Sequence, residues 1–164
     1  MTVINSTTDA NELTLVVVAD FQATAERVWA VWEDPRLLER WWGPPTYPAT
    51  FTRHEFVVGG QSRYFMTGPA GEKSRGWWRI DVIDKLRRIE FANGLAGDDG
   101  EPEAGVEPMA AIVTFEPVEG GTRMTATTFF VDDHQMKSML ERGMQEGMAL
   151  AVGQIDGLVS MSAP

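Results

Sequence analysis

A long amphipathic segment near the C-terminus constrains the fold more than any other feature of the chain. From about residue 134 to 161, apolar residues recur every three or four positions, which predicts one helix with an apolar face. Asp132 or Asp133 can cap its start, because a carboxylate accepts a hydrogen bond from a free N–H of the first turn. The residues predicted on the apolar face are Met136, Leu140, Met144, Met148, Ala151, Ile155 and Leu158. Such a helix has to lie against a large apolar surface.

Seven predicted β-strands provide that surface. The first is the apolar run at 13–21, and six more follow after residue 48. Turns rich in glycine, or containing Asp and Lys, separate most of them, so the sheet should be mostly antiparallel. The six later strands are expected at about 49–57, 61–67, 76–83, 88–93, 109–117 and 122–131. Because a twisted sheet curls away from a straight helix, we expect a pocket between the two.

Two short helices are predicted between the first and second strands. Thr24 can act as the N-cap of the first helix, which should end at Asp34 before Pro35. Pro35 suits the first turn of the second helix, and Gly43-Pro44-Pro45 should end it. The order of elements therefore predicts an α+β fold.

The ends of the chain and one loop are expected to differ from the packed part. Residues 1–12 are polar and acidic and are predicted to form a flexible leader, followed by a single domain at 13–164. The segment 95–107 combines like charges with three glycines and one proline, so we predict that it is mobile.

The charge and composition argue against several classes of protein. With 14 Lys and Arg against 24 Asp and Glu, the net charge of −10 would repel nucleic acids and anionic lipids. The chain has no cysteine, no signal-peptide pattern at its start and no run of about 18 apolar residues. We therefore expect a cytoplasmic protein with no membrane span and no nucleic-acid partner.

Several residues spread along the chain form a familiar pattern. They are the strand end at Phe21, the run Ala23–Trp29, Pro35, Leu38, Trp41-Trp42-Gly43-Pro44, Gly59-Gly60, Gly71 and Gly147. This pattern resembles the SRPBCC (START-like, Bet v 1-like) superfamily, and within it the branch related to the C-terminal domain of the activator of heat-shock protein 90 ATPase. The resemblance implies a helix-grip fold, in which a curved seven-stranded antiparallel sheet wraps around the long C-terminal helix. It does not imply one function, because the superfamily includes lipid carriers, cyclases and hydroxylase subunits.

The alternation of the strands and the apolar helix face identify candidate ligand-binding residues. Nine Met, eight Phe, six Trp and two Tyr would form a deformable apolar wall, although most buried apolar residues only pack the core. The candidates are Trp41, Trp42, Tyr64, Met66, Trp78, Phe91, Phe115, Phe130, Met144 and Met148. Of Trp41 and Trp42, we expect one to anchor the second short helix and the other to lie at the pocket mouth. Gly143 and Gly147 indicate either close packing or room for a ligand.

Three functions stay open at this level. The first is binding of a small hydrophobic molecule, as a carrier or sensor, and nothing in the sequence requires an enzyme. The second is an enzyme of the cyclase or hydrolase kind, which would need Glu55, Tyr64, Arg79 or His54 to face the pocket. The third is a chaperone-associated interaction module, suggested only by the name of the related branch.

No cofactor or metal ion is expected for any of the three functions. The sequence holds no nucleophile-elbow, zinc, phosphate-loop or dinucleotide motif, and the acidic residues of 95–107 do not have the spacing of a calcium loop. A homodimer is one way to cover the edge strands and exposed Trp residues that such a sheet is expected to have.

Overall fold

Eight β-strands form one antiparallel sheet in the computed structural model, which describes residues 3–159. The strands are β1 Val3–Asp9, β2 Thr14–Phe21, β3 Ala49–His54, β4 Gln61–Thr67, β5 Lys73–Asp84, β6 Arg88–Leu95, β7 Met109–Val118 and β8 Gly121–Phe129. Their order across the sheet is β1-β2-β8-β7-β6-β5-β4-β3, so β1 and β3 are the edges. The helices are α1 Ala25–Glu33, α2 Pro35–Leu38, α3 Asp133–Glu141, α4 Met144–Gly153 and α5 Asp156–Val159. The α+β fold and the antiparallel sheet are as predicted.

The N-terminal segment is a strand, which corrects both the flexible leader and the count of seven strands. β1 pairs with β2 along its whole length, from Val3 opposite Asp20 to Asp9 opposite Thr14. Asp9 also closes the turn that follows, because its Oδ1 accepts the backbone N–H groups of Asn11 and Glu12 at 2.9 and 3.1 Å. An edge strand can be this polar because one of its faces meets water. The composition of residues 1–12 therefore did not reveal it.

The predicted long C-terminal helix is also wrong in its continuity. Within the described part of 134–161, α3, α4 and α5 are separate helices, and residues 160 and 161 lie outside the described residues. α3 begins as predicted, since the Asp132 side chain accepts the backbone N–H of Gln135 at 2.8 Å. It ends before Gly143, whose φ of 87° lies in the left-handed region and interrupts the helical backbone.

Both short helices begin as predicted, the first at the cap Thr24 and the second at Pro35. Thr24 Oγ1 accepts the N–H of Arg27 at 3.3 Å, and Asp34 Oδ1 accepts that of Arg36 at 2.9 Å with Pro35 at the start of α2. α2 ends earlier than expected, so Trp41 and Trp42 lie in the turns that follow it.

The segment 95–107 folds back over the outer face of the sheet. Ala96 pairs with Pro102, and Glu101 reaches Arg63 of β4 at 3.3 Å. The segment follows β6, and Arg63 is on β4, so the contact passes over β5, which lies between them. Trp77 of β5 is paired with Arg63 and is only 8% exposed. The Gln135 side chain also donates to the Glu107 carbonyl at 2.7 Å, so the segment is irregular but held at several points, and its mobility stays a prediction.

An aromatic cluster fills the core between the inner face of the sheet and α1. The ring centroid of Trp32 lies 4.8 Å from that of Trp41, 6.1 Å from that of Trp42 and 6.0 Å from that of Trp78. On the other side, α4 packs against β1 and β2. No helix within residues 3–159 is long and apolar enough to cross a membrane.

Candidate ligand cavity

A cavity of about 340 Å³ lies between the inner face of the sheet, the α3–α4 junction and the turn at Trp42. Its walls are formed by Trp32, Trp42, Pro44, Tyr64, Met66, Ser74, Arg75, Phe91, Asn93, Gly94, Leu95, Met109, Ala111, Val113, Ala126, Thr127, Thr128, Met139, Arg142, Gly143, Met144, Gly147 and Met148. Ser74 and Arg142 are exposed, so the cavity reaches solvent at this end.

Most of the wall residues lie on the inner face of the sheet, as the alternation of side chains along each strand requires. On β6, Phe91, Asn93 and Leu95 lie two positions apart and share the inner face. Further inner-face residues of the neighbouring strands are Tyr64 and Met66 on β4, Met109, Ala111 and Val113 on β7, and Ala126 and Thr128 on β8. Strands far apart in sequence therefore converge on one apolar space.

Six of the ten candidate residues line the cavity. They are Trp42, Tyr64, Met66, Phe91, Met144 and Met148. Trp41 is not among the lining residues, since its ring N–H donates to the Val31 carbonyl at 2.8 Å and anchors the turn after α2. Trp42 therefore faces the space, while Trp41 holds the segment in place.

The other three candidates belong to the surrounding core. Trp78 is fully buried behind Phe91, with which it stacks at 4.3 Å between ring centroids. Phe115 packs edge-on against Trp29 at 5.3 Å, and Phe130 belongs to a separate apolar cluster beside α3. Their inward alternation was correct, but a position on the inner face does not by itself give access to the cavity.

Several lining residues were not among the candidates. Asn93 lies within the predicted strand but is polar, whereas the predicted strand stopped at residue 93, before Leu95. Met109 lies on the predicted inner face of β7 at the start of that strand. Met139, Arg142 and Gly143 lie at or near the helix break at Gly143, which periodicity could not indicate.

Tyr64 is the best-defined polar group of the cavity. Its ring stacks on Phe51 at 5.0 Å and meets Trp42 edge-on at 6.0 Å. The same ring covers Gly76, where a Cβ would come within 2.3 Å of the Tyr64 hydroxyl oxygen. Burial raises the pKa of Tyr64 above its ordinary value, and the nearby Trp42 ring N–H offsets this only in part. The hydroxyl is therefore protonated at neutral pH.

The two helix glycines play different parts. Gly143 takes a left-handed conformation that a side chain rarely adopts, so it makes the α3–α4 junction. Gly147 lines the cavity, and beyond its two chain neighbours and its own helix backbone, a Cβ at this position would meet no described atom within 4 Å. The space beside Gly147 is open.

Most of the polar residues that an enzyme would need to face the pocket lie outside the cavity wall. Glu55 and Arg79 are exposed and pair with Arg53 and Asp81, both at 3.0 Å. His54 is absent from the cavity wall; it is half-buried, and its ring nitrogens contact Ser62 Oγ at 2.8 Å and the Trp32 carbonyl at 2.9 Å.

Of these candidates, only Tyr64 lines the cavity. Across residues 3–159 there is no cluster of three or more His, Cys, Asp or Glu side chains suited to a metal ion.

Comparison with known proteins agrees with this architecture. The family model described as Activator of Hsp90 ATPase homolog 1-like protein matches residues 22–160. A solution NMR structure of a protein from Arthrobacter aurescens is 48% identical, with a TM-score of 0.90, and covers 97% of this chain and 92% of its own. A crystal structure of a protein from Mycobacterium smegmatis is 36% identical, with a TM-score of 0.89 and coverage of 99% and 100%.

A third structure, from Nitrosomonas europaea, is 26% identical with a TM-score of 0.79, and covers 93% of this chain and 97% of its own. None of the curated proteins matches the chain. The expected superfamily and branch are confirmed. Because the family model covers most of the sequence, the chain belongs to the family of Activator of Hsp90 ATPase homolog 1-like proteins, within the SRPBCC superfamily.

Proposed function

We propose that the protein binds a small, largely apolar molecule in this cavity, as a carrier or sensor. The observation that carries the proposal is the open space beside Gly147 in a wall made mostly of Met, aromatic and aliphatic side chains. Protein interiors are otherwise packed almost without voids, so a space of about 340 Å³ is unusual for a purely structural core. It lies within the range of small-molecule sites.

The size of the cavity limits the ligand. An apolar cavity of about 150 Å³ holds one benzene molecule. The space therefore accommodates a body of about two such rings. Five methionines, Met66, Met109, Met139, Met144 and Met148, contribute to the wall. Their unbranched side chains adapt to different shapes, which favours a site that accepts a class of apolar molecules over one fitted to a single compound.

The two other functions receive less support from the site. A cyclase or hydrolase needs a group that moves a proton at the ligand, and Tyr64, with its raised pKa, is suited to donating a hydrogen bond and not to acting as a base. The chaperone-associated module rests on the family description alone. The cytoplasmic location and the homodimer stay predictions from the sequence.

Naphthalene is a two-ring probe of suitable size, and calorimetry would measure its binding. We expect Met148→Trp to abolish binding, because an indole on the wall occupies the space. Leu150→Trp is the matched control: it lies on the same helix, is 57% exposed and does not line the cavity, so it should bind as wild type does.

The melting temperature of Met148→Trp separates this proposal from a packed core. Filling an existing space should leave stability nearly unchanged, whereas an indole forced into a close-packed interior costs about 1–3 kcal/mol. Strong destabilisation together with no naphthalene binding by wild type would show that the helix face is ordinary core. Native mass spectrometry of protein purified without denaturation would show whether a ligand is carried from the cell.

A further inference from the structure

The Tyr64 hydroxyl faces the ligand space with an unused hydrogen-bond donor. Within residues 3–159, the Tyr64 hydroxyl donates no hydrogen bond to another residue. The Trp42 ring N–H beside it also makes no hydrogen bond of normal geometry, and as a donor it cannot accept that proton. Polar groups facing a cavity normally have partners, so the acceptor for this donor is water or a bound molecule.

The position of the hydroxyl is fixed by its surroundings. Phe51 and Trp42 hold the ring on two sides, and Gly76 leaves room for it against β5. Any side chain at residue 76 would displace the ring. A rigidly held donor loses little conformational freedom on binding, which is the condition under which one hydrogen bond contributes to specificity.

The charges around the cavity favour a ligand with an oxygen acceptor of negative charge. The wall contains two arginines and no Asp, Glu, Lys or His among the described residues. The Arg75 guanidinium lies 5.5 Å from the Phe65 ring, so it is engaged there. Arg142, at the solvent end, has no ion pair within residues 3–159.

The Glu146 carboxylate lies 4.0 Å from the position of a Cβ on Gly143 and is not part of the wall. Arg142 is therefore an exposed cation of the wall with no ion pair among the described residues.

We infer that the cavity selects an apolar molecule of about two rings with one oxygen acceptor, which accepts the Tyr64 hydroxyl proton, and that Arg142 favours a carboxylate as this acceptor. This inference rests on the proposed function, because it names the chemistry of the ligand held in the same cavity. The Tyr64 hydroxyl would distinguish such a ligand from a hydrocarbon of equal size. Arg142 would distinguish the carboxylate from a neutral ketone.

Four probes with one ring system test this inference: naphthalene, 2-acetonaphthone, 2-naphthoate and 2-naphthylmethylamine. Calorimetry at neutral pH should show that the ketone and the carboxylate bind more tightly than naphthalene, and that the amine binds most weakly. In Tyr64→Phe, both oxygen-bearing probes should lose about 2- to 10-fold in affinity, while naphthalene should bind unchanged. In Arg142→Gln, only 2-naphthoate should weaken, by up to about fivefold and less at high salt.

The outcomes separate the inference from the proposed function. If naphthalene binds as tightly as the oxygen-bearing probes, or if their advantage survives in Tyr64→Phe, the role of Tyr64 is refuted while the cavity still binds ligands. If 2-naphthoate and 2-acetonaphthone bind equally in wild type, the role of Arg142 is refuted. If none of the four probes binds wild type, the proposed function itself fails. Matching thermal unfolding of both variants and wild type confirms that they fold.

Discussion

Gly147→Leu tests the open space most directly, because its effect on stability should have opposite signs for a cavity and for a packed core. Gly147 lies within α4 and lines the cavity, and apart from its two chain neighbours and its own helix backbone no described atom lies within 4 Å of the position that a Cβ would take. The substitution therefore adds four carbons to a space that wild type leaves open. Gly147→Ala adds one carbon and serves as the matched control for helix propensity alone.

The expected magnitude follows from three contributions. Replacing Gly by Leu in a helix gains about 0.5–1 kcal/mol from backbone propensity. Burying part of the leucine side chain contributes up to about 1.5–3 kcal/mol, and its lost rotamer freedom costs about 0.5–1 kcal/mol. We expect a net stabilisation of about 1–2 kcal/mol, which for a chain of this length raises Tm by about 2–8 °C.

Urea unfolding, differential scanning calorimetry and naphthalene titration would measure the two effects of Gly147→Leu together. We expect higher stability and a loss of naphthalene affinity of more than about tenfold, which corresponds to about 1.4 kcal/mol. Gly147→Ala should gain only the propensity contribution and retain binding. A Gly147→Leu variant that is less stable than Gly147→Ala by about 1–3 kcal/mol would show overpacking, and would refute the open space.

Two further predictions concern the pH dependence and the break in the C-terminal helix. Burial lowers the pKa of His54. The folded state therefore binds fewer protons at this residue than the unfolded state does, and the free energy of unfolding should fall as the pH drops below about 6.5. Urea midpoints measured between about pH 5 and 8 should no longer show this fall in stability in His54→Gln. The control His134→Gln, at an exposed site, should still show it. Equal pH profiles for the two variants would contradict the assignment of the fall to His54. Gly143→Ala should lower the free energy of unfolding by about 1–2 kcal/mol, because Gly143 has a positive φ that alanine rarely adopts. The control Gly157→Ala should not lower it. A stabilised Gly143→Ala would indicate that α3 and α4 form one continuous helix.

Local chemistry made the helix starts and the strand faces predictable. Thr24, Asp34 and Asp132 accept backbone N–H groups three or two residues ahead, so each cap depends only on its immediate sequence. The alternation of β6 and β7 likewise follows from the period of an extended chain, whichever strand lies beside it. These features are properties of short segments, and the sequence determines them before any tertiary contact forms.

The cavity itself was decided by contacts between distant segments. Trp41 and Trp42 are adjacent and chemically identical, but Trp41 donates its ring N–H to the Val31 carbonyl, ten residues away, while Trp42 lies in the wall. The pairing of β1 with β2 gives a polar segment its strand conformation.

The sequence by itself therefore determined the α+β fold, the helix caps and the set of inward-facing side chains from which the wall is drawn. Only the tertiary structure decided which of these side chains border an empty space. The physical reason is that an empty space is the volume left after β4–β8, α4 and the turn at Trp42 have packed, and no single segment specifies that volume.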